Sequence, residues 1–161
     1  MIKIATTLLL ALFQTAPMGT VLGSIKLPQS AKSVQARVVL LPSKYVETWE
    51  KQVQTRIDNY WEMFKPEFAA NKERFLEFDR LARVEAFRSV TSTMRRELGV
   101  EAATYIKDAT PTGQFAFTAV PFGSYQMLVY ANVNGQELLW SKTVVVQTEI
   151  PIFVDPGNPV S

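Results

Sequence analysis

Gly113-Gln114-Phe115-Ala116-Phe117-Thr118-Ala119-Val120-Pro121-Phe122-Gly123-Ser124-Tyr125 is the stretch whose reading decides the fold. Gly113 marks a tight turn. Phe115 and Phe117 alternate, so a strand puts both rings on one face. Pro121-Phe122-Gly123 turns the chain again, and Tyr125 opens the returning strand. The stretch predicts two consecutive strands of a small β-sandwich and contains no catalytic group.

Working outward, further strands come into view. Tyr125 to Val133 and Gln136 to Val146 flank Asn134-Gly135, a strong two-residue hairpin signal because a type I′ turn needs positive φ at both positions. Glu149 to Val154 places Ile150, Ile152 and Val154 on one face. Pro151 removes a ladder donor and assigns this strand to an edge. Thr20 to Leu27 and Val34 to Leu41 are β-rich and separated by Pro28 to Ser33. Ala102 to Lys107 reads as a short strand. Short strands at regular spacing suggest a sandwich.

Between these strands the punctuation changes. None of the seven glycines lies between residues 24 and 98, and Pro66 alone of the nine prolines falls between 43 and 98. Val46, Trp49, Val53, Ile57, Tyr60 and Phe64 recur at helical steps. Phe75, Phe78, Leu81, Val84, Phe87, Val90, Met94 and Leu98 do the same. Ser43 is a candidate N-cap, Asn71 a second, and Gly99 a left-handed C-terminal residue. Pro66 must end or kink the first helix. Glu47–Lys51 and Asp79–Arg83 are favourable i,i+4 pairs. The prediction is an antiparallel helical hairpin over 43–98, each arm roughly 30–40 Å long at ~1.5 Å per residue.

Composition limits the chemistry. The chain has 161 residues, a formal net charge of +2, no cysteine and no histidine. Disulfides, thiolate metal sites and Ser-His-Asp or Cys-His arrangements are excluded. The commonest general base and transition-metal ligand is missing. Near-neutral charge gives no case for nucleic acid, which needs a concentrated basic face. Between residues 44 and 98, eleven Lys/Arg interleave with ten Asp/Glu, the pattern of a solvated helix face. Glu73 and Glu77 share a face but lack a proton-transfer partner. Arg95-Arg96 complements the helix dipole, with an anion site as the alternative. At the N-terminus, Lys3 precedes an apolar run from Ile4 to Phe13, the pattern of a secretory signal peptide over 1–16.

Three segments now carry a family resemblance. Gly19-Thr-Val-Leu-Gly23-Ser-Ile25, Val34-Gln-Ala36-Arg-Val38-Val-Leu40 and Gly113-x-Phe115-x-Phe117-x-x-Val120-Pro121-x-Gly123-x-Tyr125 resemble the carboxypeptidase regulatory-like domain family. The resemblance covers roughly 18–42 and 100–155 and implies a prealbumin-like (transthyretin-type) sandwich. Two features depart from the family. Ala109-Thr110 replaces the usual Thr-Asp before the loop glycine, so the loop does not invite calcium. A connection that is normally short carries the 43–98 hairpin. Transthyretin-like hydrolases and intradiol dioxygenases depend on histidines that this chain lacks. An adhesin-type isopeptide between Lys26 and Asn158 is disfavoured by Ile25 and Leu27, which flank Lys26 and compete for the core.

The expected architecture is α+β: a prealbumin-like antiparallel β-sandwich over 18–155, interrupted by a helical hairpin at 43–98, with a tail at 156–161. The expected function is that of a non-catalytic, secreted or periplasmic interaction module. It would bind another protein through the hairpin or a sheet edge. The alternative is a carbohydrate- or cell-envelope-binding module using surface aromatics. Tyr60 and Trp61 are the candidate partner-binding residues, because adjacent helical positions diverge by ~100° and cannot both fill one narrow seam. Filling that seam is the competing role for the hairpin aromatics. No cofactor, metal or nucleic acid is expected, and membrane contact only if the N-terminal segment stays uncleaved.

Overall fold

A computed structural model describes residues 16–27 and 34–160. The predicted signal segment, apart from Ala16, and the Pro28–Ser33 connection lie outside the described residues. The chain forms β1 (Met18–Ser24), β2 (Gln35–Pro42), α1 (Ser43–Ala70), α2 (Lys72–Leu98), a 3-10 turn (Gly99–Thr104), β3 (Ile106–Asp108), β4 (Gln114–Pro121), β5 (Gly123–Val133), β6 (Gln136–Val146) and β7 (Ile152–Val154).

The strands make two sheets, β4-β1-β7 and β3-β2-β5-β6. Their facing sides enclose the expected core. Val38 and Leu40 from β2, Phe115 and Phe117 from β4, and Met127, Val129 and Trp140 from β5 and β6 meet there. The Phe115 and Phe117 rings pack edge-on at 6.0 Å, as their alternation requires. Asn134 (φ 52°) and Gly135 (φ 84°) form the predicted hairpin turn between β5 and β6. Gly23 faces the core where no side chain fits: an added Cβ would sit 2.1 Å from the Phe115 ring and 2.5 Å from the Val154 carbonyl oxygen.

The hairpin follows β2, as the sequence predicts. Its placement comes from a feature the strand alternation left unused. Val38-Val39-Leu40-Leu41 is a continuous apolar run, and all four side chains are buried. Val38 and Leu40 enter the sandwich, while Val39 and Leu41 face outward with Leu128 and Leu139. Tyr45, Trp49 and Val53 of α1 and Phe87, Val90 and Met94 of α2 cover that outer face. The molecule therefore has three layers around two cores. Burying each such aliphatic side chain contributes about 1.5–3 kcal/mol.

Several local expectations change. Ser43 is the first residue of α1 rather than its cap; Pro42 holds the cap position, so β2 passes into the helix without a loop and without a side-chain cap. Pro66 kinks α1 rather than ending it, with the break in helical geometry at Phe64 (φ −122°, ψ 16°). Asn71 does cap α2, its Oδ1 accepting from the Glu73 N–H at 2.9 Å. Gly99 has positive φ (55°), but its ψ of −124° lies outside the left-handed helical well. The Ala102–Lys107 strand shrinks to β3, preceded by the 3-10 turn. The last strand keeps only Ile152–Val154 and pairs in parallel with β1, which makes the three-stranded sheet mixed. It lies at an edge, as Pro151 implies, but Ile150 falls outside it and is exposed. Lys26 is 82% exposed and pairs with Asp155 at 3.4 Å, an arrangement without the burial an isopeptide would need.

Candidate functional site

Three surfaces stand out: the distal arm of the hairpin, its base, and the outer face of the β4-β1-β7 sheet.

The sheet-covering residues of the hairpin end at Val53 on α1 and begin at Ala86 on α2. Beyond that point the arms pack on each other through aromatics. Trp61 stacks on Phe68 at 5.7 Å and meets Phe75 edge-on at 6.0 Å. Phe64 stacks on Phe78 at 4.7 Å, and Phe68 also contacts Phe78 at 5.3 Å. Phe68 is the buried centre of this cluster. Rings of this kind add about 0.5–1.5 kcal/mol per pair beyond the area they bury.

Tyr60 and Trp61 both join this arm, with different outcomes. Tyr60 is half-buried, lies against Phe78 at 5.0 Å, and donates its hydroxyl to Glu85 at 2.9 Å. Burial, then the Glu85 carboxylate, raises its pKa above the ordinary tyrosine value. Trp61 keeps one side in the cluster and remains 40% exposed. Met63, 62% exposed, and Leu76, 53% exposed, were not singled out from the sequence. Leu76 and Arg80 continue, by helical spacing, the face that Phe87 and Met94 turn to the sheet. There the sheet gives way to a cleft of about 360 Å³, walled opposite by Gln136, Leu138 and Val160.

At the base, Lys44 and Tyr45 on α1 grip Glu97 on α2. Lys44 Nζ lies 2.7 Å from Glu97 Oε2, and the Tyr45 hydroxyl donates to the same oxygen at 3.0 Å. The Lys44 hydrogen bond, then that of Tyr45, holds the Glu97 carboxyl below its ordinary value, and the same contact raises Lys44. Tyr45 is raised first by burial and then by Glu97. Of the two predicted helix pairs, Asp79–Arg83 forms at 2.8 Å, while Glu47–Lys51 is not among the ion pairs of the described residues.

The outer face of the three-stranded sheet bears Ala116, Leu22 and Phe153 side by side in register. Phe153 is exposed and borders a hollow of about 440 Å³ with Ser24, Lys107 and Gln114. No second aromatic stands in that row. Among the described residues, no group of three His, Cys, Asp or Glu side chains is placed to hold a metal ion, and no helix is long and apolar enough to cross a membrane.

No family model matches the chain, and no curated protein matches it. Among solved structures, the chain is similar to a Pseudomonas aeruginosa protein described as a "putative carbohydrate binding protein". The two share 15% identity over 88% of this chain and 89% of the other, with a TM-score of 0.36.

Proposed function

We propose that this protein is a non-catalytic, exported interaction module of carboxypeptidase regulatory-like type, and that it binds another protein through the distal arm of its hairpin. The observation that carries this reading is the exposure of large apolar side chains on that arm. Trp61 and Met63 on α1 and Leu76 and Leu81 on α2 are all exposed on that arm, with Leu76 bordering the cleft toward Gln136 and Leu138. Exposed apolar and aromatic side chains gathered in one region of a fold mark contact surfaces. The absence of cysteine and histidine from the chain supports a non-catalytic role, and the apolar N-terminal run supports export.

The test places a photo-crosslinking residue at position 63, 76 or 100 and exposes each protein to an envelope fraction. Val100 is also exposed but sits on the 3-10 turn, away from the arm. One partner protein captured at 63 and 76, absent at 100 and lost with Met63→Lys plus Leu76→Lys, is the expected result. Equal capture at all three positions would overturn the reading.

A further inference from the structure

Arg88, Ser92 and Arg95 follow one another on one face of α2 at steps of four and three. They overhang the outer face of the four-stranded sheet at its open end. Arg37 rises from β2 and Tyr130 from β5 to complete a cleft of about 280 Å³. Arg37 and Tyr130 also border a second hollow that extends past Gln35 and Pro111.

Two of the three arginines are held in place. Arg37 donates to both oxygens of Asp108, at 2.8 and 3.4 Å. Arg88 lies over the Tyr130 ring, donates to its hydroxyl at 3.2 Å and pairs with Glu137. The Tyr130 hydroxyl donates in turn to Glu137 at 2.7 Å, and Phe87 stacks on the ring at 5.5 Å. Arg95 takes part in none of the ion pairs or side-chain hydrogen bonds of the described residues.

The charges decide the ligand. Asp108 and Glu137 offset two guanidinium groups, leaving one positive charge in the cleft. A monoanion balances that charge, whereas a dianion would leave one negative charge without a partner. A guanidinium presents its N–H groups as a planar fork that matches a carboxylate. Asp108 occupies only part of the Arg37 donor set, since a guanidinium carries five N–H groups.

We propose that this cleft binds a small monocarboxylate, with Arg95 taking the carboxylate and Arg37 supplying further donors. The competing account is that Arg95 serves only as a positive charge at the C-terminal end of α2, where it complements the helix dipole.

Calorimetric titration of the full chain separates the two. The probes are D-glucuronate and L-lactate, with D-glucose and inorganic phosphate as neutral and multiply charged controls. Saturable binding of at least one monocarboxylate, with neither control binding as tightly, is expected. Arg95→Gln should weaken it about tenfold, the effect of losing a charge-assisted contact. Arg96→Gln, which removes a neighbouring charge from the same helix end but does not line the cleft, should leave it unchanged. Circular dichroism checks that both variants fold. Absence of binding by both carboxylates, tighter binding of phosphate, equal binding of glucose, or equal losses from the two substitutions would each overturn the proposal.

Discussion

The Tyr125 hydroxyl reaches back across the corner between the two sheets and donates a 2.7 Å hydrogen bond to the Pro121 carbonyl. Pro121 ends β4 in one sheet and Gly123 begins β5 in the other. The bond ties the outgoing strand to the returning one while the Tyr125 ring fills the core beneath the corner. Tyr125→Phe keeps the ring and strands the carbonyl. It should cost about 1 kcal/mol, read as a lower urea midpoint with unchanged slope.

Gly23 lies opposite the Phe115 ring. Gly23→Ala forces a Cβ into that ring and into the Val154 carbonyl. Overpacking of this kind costs about 1–3 kcal/mol. Thermal unfolding measures it, and an unchanged midpoint would mean that the Phe115 ring and the neighbouring strand β7 yield freely at this point.

The Lys44–Tyr45–Glu97 contact gives the hairpin base a pH signature. Glu97 is depressed in the folded state, so its contribution is present above the unfolded glutamate value and is lost as pH falls through the folded one. Lys44 is raised, so its contribution is present below the unfolded lysine value and is lost as pH climbs through the folded one. Stability measured against pH should fall less steeply on the acid side for Glu97→Gln than for the parent. Parallel acid limbs would contradict the depressed carboxyl.

Phe68 sits at the centre of the arm cluster. Phe68→Ala should open a cavity worth about 3–5 kcal/mol locally. Hydrogen exchange should then speed up over residues 58–83 and stay slow around Val90 and Met94, and Trp61 fluorescence should shift to the red. Uniform acceleration across both helices would show that the arm and the sheet-bound part open as one.

Deleting residues 44–98 should not leave a soluble sandwich. It uncovers Val39, Leu41, Leu128 and Leu139, which are fully or almost fully buried beneath the hairpin. Light scattering of that deletion should report association, while removal of the arm beyond residue 58 alone should not cause it.

The strands were legible because Phe115 and Phe117 alternate and Asn134-Gly135 permits only one kind of turn. The helices were legible because apolar residues from Val46 to Leu98 keep a 3.6-residue period without glycine. What periodicity could not supply was the partner of each face. The run Val38 to Leu41 held that information, since a strand apolar on both sides needs cover on both. Tyr60 and Trp61 were separable as neighbours on a helix, yet the aromatic cluster that occupies part of each depends on Phe68, Phe75 and Phe78 returning from beyond the turn. Arg37, Arg88 and Arg95 are joined only by the docking of α2 on the outer face of the sheet, over β5 and β6. Of that group, only Arg95 was legible in advance, through the anion site that is the alternative role of Arg95-Arg96.

The double-sided burial of β2 also bears on how the chain finds its pairing. Most sheet strands are kept in step by one polar face, because a slip by one residue would bury it. Val38 to Leu41 offers no such penalty. The safeguards must lie at the two ends of the strand: Arg37, matched to Asp108 across β3, and Pro42, which passes directly into α1. Loss of either end would leave a strand free to misalign while still burying everything it should.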